Sequence, residues 1–185
     1  MLSAEGLWFR YHKRAPWILE DLSLTIEPGE RVGLCGPSGA GKSTIGRLLA
    51  GYRKPSRGAI TSDGPVQLVM QHPERTMNPH WRIRDVLAEA GSTVDEALVE
   101  PHWLDRFPHE LSGGELQRVN LARALLAEPR YVIADEISAS LDAITQAQLW
   151  HHLVEYAEAH GVGVLAISHD QDLIAKVTQR THRVE

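Results

Sequence analysis

Short apolar runs alternate along the chain with segments of helical periodicity. The stretch "WILEDLSLTIEPGE", residues 17–30, alternates apolar and polar positions and ends in a Pro-Gly turn, which predicts a strand. "RVGLC" follows at once and predicts a short buried strand, and "VQLVM", "YVIAD" and "VGVLAIS" predict three more. Buried strands separated by helical segments are typical of an α/β fold with a largely parallel sheet.

Helical spacing marks the segments between these strands. Ile45, Leu48 and Leu49 recur at the spacing of one helix face, and Gly51 predicts the end of that helix. "ELQRVNLARALLAE" and "AITQAQLWHHLVEYAEAH" predict two longer helices. The interval of approximately 77–110 is more polar, contains the helical stretch "IRDVLAEA" and has no strong strand signal. We therefore expect a helical insertion there, within one domain that spans residues 1–185.

Composition narrows the class of protein. A chain of 185 residues with 43% apolar content is long enough for one domain with a real core, and too short for two. The net charge of -5 argues against a general nucleic-acid binder. The lone Cys35 excludes an internal disulfide and fits a reducing cytosol. No apolar run reaches the roughly 20 residues of a membrane helix, so we expect any membrane function to act through partners.

A glycine-rich segment between the strand "RVGLC" and the following helix matches the pattern G-x-x-x-x-G-K-[ST] at every fixed position. Glycines let the backbone approach phosphates, so that its N–H groups and the helix N-terminus face the anion. Lys42 is expected to reach the β- and γ-phosphates of ATP, and the Ser43 hydroxyl to bind Mg²⁺. The predicted nucleotide-binding residues are Gly36, Pro37, Ser38, Gly39, Ala40, Gly41, Lys42, Ser43 and Thr44.

Two adjacent acids end the apolar strand "YVIAD". Buried strands rarely finish in two carboxylates without a use, so Asp135 is predicted to hold Mg²⁺. Glu136 is predicted to polarise the water that attacks the γ-phosphate. The alternative for this pair is a helix N-cap or a solvated turn.

The segment "LSGGELQR", residues 111–118, adds a second glycine-rich helix start. Ser112 and Glu115 have the spacing of a capping box, which is a purely local explanation. Gly113 and Gly114 weaken a helix and expose its N–H groups, which suits contact with an anion. Together with the phosphate-binding loop, this segment resembles the signature motif of ABC-type ATPases.

The resemblance implies a P-loop NTPase fold of the ABC type, with a short helical subdomain and an N-terminal antiparallel β-subdomain. It also implies that Ser112, Gly113, Gly114 and Glu115 face the γ-phosphate of an ATP held by a second subunit. Two such subunits would form a head-to-tail dimer with two composite sites, and ATP would drive its closing and opening.

Other positions take their roles from the same resemblance. Tyr11 resembles the aromatic residue that stacks on adenine, with a surface tyrosine of a strand as the alternative. Gln71, at the end of the predicted strand "VQLVMQ", resembles the glutamine that touches Mg²⁺ or the attacking water, and the alternative is an ordinary strand end. His169 resembles the histidine that contacts the γ-phosphate. "SASLD" resembles the loop that crosses the dimer interface, although Asp142 equally fits a helix N-cap.

Two longer stretches, "QHPERTMNPHWRIRDVLAEA" and "RFPHELSGGELQRVNLARALLAEPR", resemble the ATPase subunits of peptide and nickel importers. This implies a second ATPase subunit, the same or different, two transmembrane permease subunits and a substrate-binding protein, with no nucleic acid. It places the chain on the cytoplasmic face of the inner membrane, with a permease docking surface at 78–89. The sequence departs from the family in having Ile137 where proline is common, and in a short interval between Gln71 and Leu111.

Two other classes of protein share one or both of these sequence motifs. A P-loop kinase would have the phosphate-binding loop but no use for "LSGGELQR". A soluble ABC ATPase acting on nucleic acid or ribosomes would have both motifs. The long coiled-coil insertion of DNA-repair members and the tandem cassettes of translation-type members are missing from this sequence, which favours transport.

Overall fold

The computed structural model describes residues 1–91 and 96–184, and these contain eight strands and five α-helices. The strands are β1 Leu2–Phe9, β2 Leu19–Ile26, β3 Arg31–Cys35, β4 Arg57–Ser62, β5 Val66–Val69, β6 Tyr131–Asp135, β7 Gly163–Ile167 and β8 Arg180–Arg183. The helices are α1 Lys42–Leu49, α2 Ile83–Ala88, α3 Gly113–Leu126, α4 Ala143–His160 and α5 Gln171–Val177. Single 3₁₀ turns lie at Pro73–Arg75, Pro101–Trp103 and Pro108–Glu110.

A five-stranded parallel sheet, in the order β5-β6-β7-β3-β8, carries the predicted buried strands. Every residue of β6 and β7 is buried, as expected for parallel strands that are covered on both faces. Tyr131 pairs with Gly163 and Asp135 with Ile167, so β6 and β7 end together. The strands predicted from "RVGLC" and "YVIAD" have the bounds that the pattern indicates.

The two faces of this sheet belong to two hydrophobic clusters. Tyr131 and Ile133 pack on one side with β1, β2 and α1, while Val132 and Ala134 pack on the other with α2, α3 and α4. This follows from the alternation of side chains along a strand. Gly46 brings α1 close to the sheet, because a Cβ there would lie 3.1 Å from Cγ2 of Ile133.

A second sheet, antiparallel and in the order β2-β1-β4, forms the predicted β-subdomain. Its strand β4 follows α1 in the chain and pairs Ile60 with Ala4 of β1. The apolar pattern did not predict β4 or β8, since both are largely exposed edge strands without alternation of buried positions. Their positions depend on the strands that they pair with, β1 for β4 and β3 for β8.

The described part of the predicted insertion is helical, with α2 and two 3₁₀ turns and no strand; residues 92–95 of that interval lie outside the described residues. Ile83 and Val86 of α2 are fully buried, and the N–H of Ile83 donates to the carbonyl of Arg106 at 2.9 Å. One expectation is wrong: Gln71 does not end a strand. Strand β5 stops at Val69, and the next carbonyl, on Met70, accepts hydrogen bonds from side chains of α3 instead of from a neighbouring strand.

Candidate nucleotide-binding site

Four groups of residues predicted to act on a nucleotide follow strands of the parallel sheet at the same edge. The phosphate-binding loop follows β3, Asp135 and Glu136 lie at the end of β6, and His169 follows β7, which runs between them. Gln71 follows β5, the neighbour of β6. The carboxyl ends of parallel strands share one edge, which is where ligands bind in open α/β sheets.

The loop between β3 and α1 has a backbone that requires glycine. Gly39 and Gly41 have φ values of 84° and 85°, a region that residues with a Cβ rarely adopt. A Cβ on Gly41 would also lie 2.9 Å from Cγ2 of Ile18. Gly41 is the N-cap of α1 and has no side chain to cap it. The first N–H groups of α1 are therefore available to an anion.

Lys42, the first residue of α1, folds back along the loop. Its Nζ donates to the carbonyls of Gly36 and Pro37, both at 2.8 Å. An ammonium group has three N–H donors, so one remains for a ligand in the loop. These two hydrogen bonds keep the positively charged ammonium group of Lys42 beside the phosphate-binding loop.

Ser43 and Asp135 meet across the sheet edge. The Ser43 hydroxyl donates to Oδ1 of Asp135 at 2.9 Å, although the two residues are far apart in sequence. Burial raises the pKa of Asp135, while this hydrogen bond and the positive charge of Arg47 oppose the rise. A buried carboxylate beside a hydroxyl supplies the hard oxygen atoms that Mg²⁺ prefers.

Glu136 and His169 form the second pair. Nδ1 of His169 donates to Oε2 of Glu136 at 2.9 Å, and the side chain of Glu136 is 17% exposed against 72% for His169. Glu136 has a φ of 52°, which is unusual for a residue with a side chain. Its N–H donates to the carbonyl of Ile167 at 2.9 Å, so β7 holds this conformation. Such backbone strain concentrates at functional sites.

Tyr11 lies beside the start of α1. Its hydroxyl and Oγ1 of Thr44 share a hydrogen bond of 3.2 Å, and its ring meets Phe9 edge-on at a centroid distance of 5.1 Å. Tyr11 is 44% exposed, so it is accessible to a ligand that stacks on its ring. The Arg53 guanidinium carbon lies 5.9 Å from the ring centroid.

The signature segment lies apart from the phosphate-binding loop. Ser112 caps α3: its hydroxyl accepts from the N–H of Glu115 at 3.3 Å, and its own N–H donates to the Glu115 carboxylate at 2.7 Å. A Cβ on Gly113 would meet nothing within 4 Å, whereas one on Gly114 would lie 3.0 Å from Cγ2 of Thr145. In the described residues, Ser112 makes no hydrogen bond with the loop. The capping box is confirmed, and packing explains only the second glycine.

Two further residues of the site were not predicted from the sequence. Arg47 lies one helical turn after Ser43, so helical spacing could have indicated that its charge reaches Asp135. Arg53 approaches Tyr11 from a turn after α1, and nothing in the sequence indicates that contact.

The segment 138–142 precedes α4, and Asp142 caps that helix by accepting from the N–H groups of Ile144 and Thr145. The predicted N-cap is therefore confirmed.

This arrangement can be compared with known proteins. The model of the family described as "ABC transporter" matches residues 19–139, which include the loop, the signature segment and both acids. The chain belongs to the ABC transporter family. The predicted ABC-type fold is confirmed, and the chain is an ATPase of this family that binds nucleotide.

Individual similar proteins support the assignment to the ABC transporter family. The ABC chain is 36% identical to the nickel import system ATP-binding protein NikE of Staphylococcus aureus, over 97% of its own length and 84% of the relative's. The solved structure of an ATP-binding subunit of an ABC transporter is 26% identical, with a TM-score of 0.85 over 100% of this chain and 86% of that one. A dimeric cassette, MJ0796, bound to ADP and phosphate, shares the fold at 23% identity, with a TM-score of 0.84 over 100% and 94% of the two chains. No helix among the described residues of the ABC chain is long and apolar enough to cross a membrane.

Proposed function

We propose that this ABC ATPase is the ATP-hydrolysing subunit of an importer that takes up nickel, other metal complexes or peptides. The observation that carries the proposal is the 36% identity to a nickel import ATP-binding protein over 97% of the chain. Such a similarity includes both the nucleotide site and the helical insertion. Residues 1–185 are proposed to act as one ATPase domain.

ATP binds in this proposal through the loop 36–44 and Tyr11. The free N–H groups at the start of α1 face the phosphates, and the remaining N–H of Lys42 reaches the β- and γ-phosphates. The Tyr11 ring stacks on adenine, and its hydroxyl bond to Thr44 keeps the ring beside the loop. Glycine is needed at position 41 both for its φ and because a Cβ would lie too close to Ile18.

Mg²⁺ fits the oxygen atoms of Ser43, Asp135 and Gln71. The described residues contain no group of three or more His, Cys, Asp or Glu that could hold a metal, so water and the nucleotide would complete its coordination. Ser43, Asp135 and Gln71 would hold the ion, which would supply positive charge to offset the negative charge on the phosphates. Asp135 supplies the anionic ligand, and its hydrogen bond from Ser43 orients the carboxylate.

Hydrolysis is assigned to Glu136 and His169. Because His169 occupies Oε2 of Glu136, the free Oε1 takes the proton of the attacking water. The other face of His169 is exposed, and it is proposed to contact the γ-phosphate. Gln71 follows β5, the strand that neighbours β6, and it is proposed to orient the water.

Two ATPase subunits are proposed to close head to tail over two nucleotides. Ser112, Gly113, Gly114 and Glu115 of each subunit face the γ-phosphate in the other, and the open space above Gly113 leaves its backbone accessible. The subunit is proposed to act at the cytoplasmic face of the inner membrane, in a complex with two permease subunits and a substrate-binding protein. A permease is proposed to dock at 78–89 of this subunit. A groove of about 290 Å³, lined in part by Glu89 and Ala90, adjoins that surface. No nucleic-acid partner is proposed.

Reconstitution tests this function. The chain is assembled in proteoliposomes with the permeases and binding protein encoded beside its gene, and ATP-dependent uptake of radioactive Ni²⁺ and of a labelled dipeptide is measured. We expect uptake of one of them, and none with Lys42→Ala. ATPase activity that responds to RNA or ribosomes but not to permeases would contradict the importer and support a soluble ABC ATPase.

A further inference from the structure

Two segments at the antiparallel sheet carry an excess of positive charge. The segment 8–18 leads from β1 towards β2, the segment 50–60 leads from the end of α1 into β4, and neither contains an Asp or Glu. Together we call them the basic surface. In a chain with a net charge of -5, they hold six of the 19 Lys and Arg residues: Arg10, Lys13, Arg14, Arg53, Lys54 and Arg57.

The two segments contact each other and form one surface. The N–H of Ser56 donates to the carbonyl of Trp8 at 2.8 Å. The half-buried rings of Trp8 and Trp17 meet edge-on at a centroid distance of 5.3 Å, and the guanidinium carbon of Arg57 lies 5.7 Å from both centroids. The guanidinium carbon of Arg10 lies 4.2 Å from the Trp17 centroid. Cationic and indole groups therefore alternate across both segments.

The positive charges of the basic surface are not neutralised within the described part of the chain. None of its six Lys and Arg side chains forms an ion pair there, whereas Arg31 and Arg180 each pair with a glutamate. Lys13, Arg14 and Lys54 are exposed. Like charges on one surface repel each other, and their summed field attracts anions. The chemistry of the basic surface is therefore suited to a partner with many negative charges.

The basic surface continues into the face that is proposed to meet the permease. Tyr52, which belongs to the segment 50–60, is 61% exposed and lines the same groove as Glu89 and Ala90. That groove adjoins the proposed permease docking surface at 78–89. A permease spans the membrane, so this side of the subunit is the one that a lipid surface can approach.

We propose that the basic surface binds the anionic phospholipid headgroups of the membrane that holds the permeases. The inference rests on the proposed function, which brings the subunit to that membrane. Clusters of Lys and Arg are attracted to anionic lipids, and the indoles of Trp8 and Trp17 suit a membrane–water interface because each has an apolar body and a polar N–H. This contact would orient the subunit beside the permease in addition to the docking at 78–89.

Vesicle sedimentation with the purified full chain tests the inference. Vesicles of about 30% phosphatidylglycerol in phosphatidylcholine are compared with vesicles of phosphatidylcholine alone, at about 0.1 M NaCl. We expect half-maximal binding to the anionic vesicles on the order of 0.1 mM accessible lipid, because each basic residue near the surface strengthens binding by about fivefold, and no binding to the neutral vesicles. At about 1 M NaCl the Debye length falls from about 10 Å to about 3 Å, so binding should be lost.

Single lysine substitutions test whether the basic surface makes this contact. Lys13→Gln and Lys54→Gln should each weaken vesicle binding by about fivefold, and the double variant by about 25-fold. Lys176→Gln is the matched control, because it makes the same charge change at an exposed lysine of α5, outside the basic surface, and it should change binding by less than about twofold. ATP affinity from calorimetry and the unfolding temperature should be unchanged in all these variants.

Four results would overturn the inference. The first is equal binding to anionic and neutral vesicles, and the second is an equal loss of binding in Lys54→Gln and Lys176→Gln. The third is binding to a single-stranded RNA without binding to anionic vesicles, which would make the basic surface a nucleic-acid site. The fourth is a loss of ATP affinity in Lys13→Gln and Lys54→Gln with vesicle binding retained. The vesicle assay contains no permease, so its outcome is independent of the uptake assay that tests the proposed function.

Discussion

The pair formed by Glu136 and His169 allows the general base to be identified by experiment. The substitution Glu136→Gln keeps the length and shape of the side chain, and its amide oxygen still accepts from Nδ1 of His169, at 2.9 Å in the wild type. It removes only the ability to take a proton. The substitution His169→Ala keeps the carboxylate and removes its hydrogen-bond donor.

The expected magnitudes differ enough to separate the two roles. Loss of a general base lowers turnover by about 10²- to 10⁴-fold, or about 2.7–5.4 kcal/mol at 1.36 kcal/mol per factor of ten. Loss of one hydrogen bond to a charged group is worth about 1.5–3 kcal/mol, which is roughly 10- to 150-fold. The lower end applies to His169, because its side chain is 72% exposed and solvent weakens the contact. Glu136→Gln should therefore be the more severe substitution.

The assay is phosphate release in a single turnover with Mg²⁺ and saturating ATP, together with ATP affinity from calorimetry. ATP affinity should stay within about threefold in Glu136→Gln, which removes no proposed contact with the nucleotide, and it should fall further in His169→Ala, which removes the proposed contact with the γ-phosphate. Glu155→Gln is a matched control: its carboxylate lies 3.2 Å from Nε2 of His151 on the surface of α4, and the change should leave turnover unaffected. The loss in the double variant should be smaller than the product of the two single losses, because the two side chains share one hydrogen bond.

A His169→Ala protein that is slower than Glu136→Gln would refute this assignment and make the histidine the main catalytic group. Wild-type turnover in Glu136→Gln would show that the water is activated elsewhere. Equal losses that multiply in the double variant would mean that the two side chains act independently.

Lys42→Ala should abolish hydrolysis and weaken ATP binding by about 1.5–3 kcal/mol, the value of a charge-assisted contact, and unchanged affinity by calorimetry would contradict this role. Tyr11→Ala should weaken ATP binding while Tyr11→Trp preserves it, because stacking requires an aromatic face; equal damage from both would favour another aromatic residue as the platform. Asp135→Asn should abolish turnover yet raise the unfolding temperature at pH 7 in the absence of nucleotide, because burial raises the pKa of Asp135 and its ionised form opposes folding. The stability advantage of Asp135→Asn should appear as the pH rises above the ordinary pKa of an aspartate and should vanish below it, where the wild-type carboxyl is protonated in both states. Adding Ser112→Arg to Glu136→Gln should prevent the ATP-trapped dimer, and a dimer indifferent to that change would place the interface elsewhere.

Local sequence patterns were sufficient to predict the strands that precede the phosphate-binding loop and the two acids. "RVGLC" and "YVIAD" are continuous apolar runs because parallel strands are buried on both faces, and the structure places β3 and β6 at those residues. The helix start at Ser112 and the full length of α4 also follow from capping and spacing within a few residues. Exposed edge strands such as β8 have no such signal, since their position depends on a neighbour.

The phosphate-binding loop, the two acids and the signature segment could all be predicted, because each depends on residues that are adjacent in the chain. The contacts between these groups could not be predicted, because they form only in the folded chain. The hydrogen bond from Ser43 to Asp135, the contact of His169 with Glu136 and the hold of Gln117 on the Met70 carbonyl all join distant positions. Each depends on the strand order β5-β6-β7-β3 or on the packing of α3 beside β5. Strand order is set by burial and pairing summed over the whole sheet, and no local pattern contains that information.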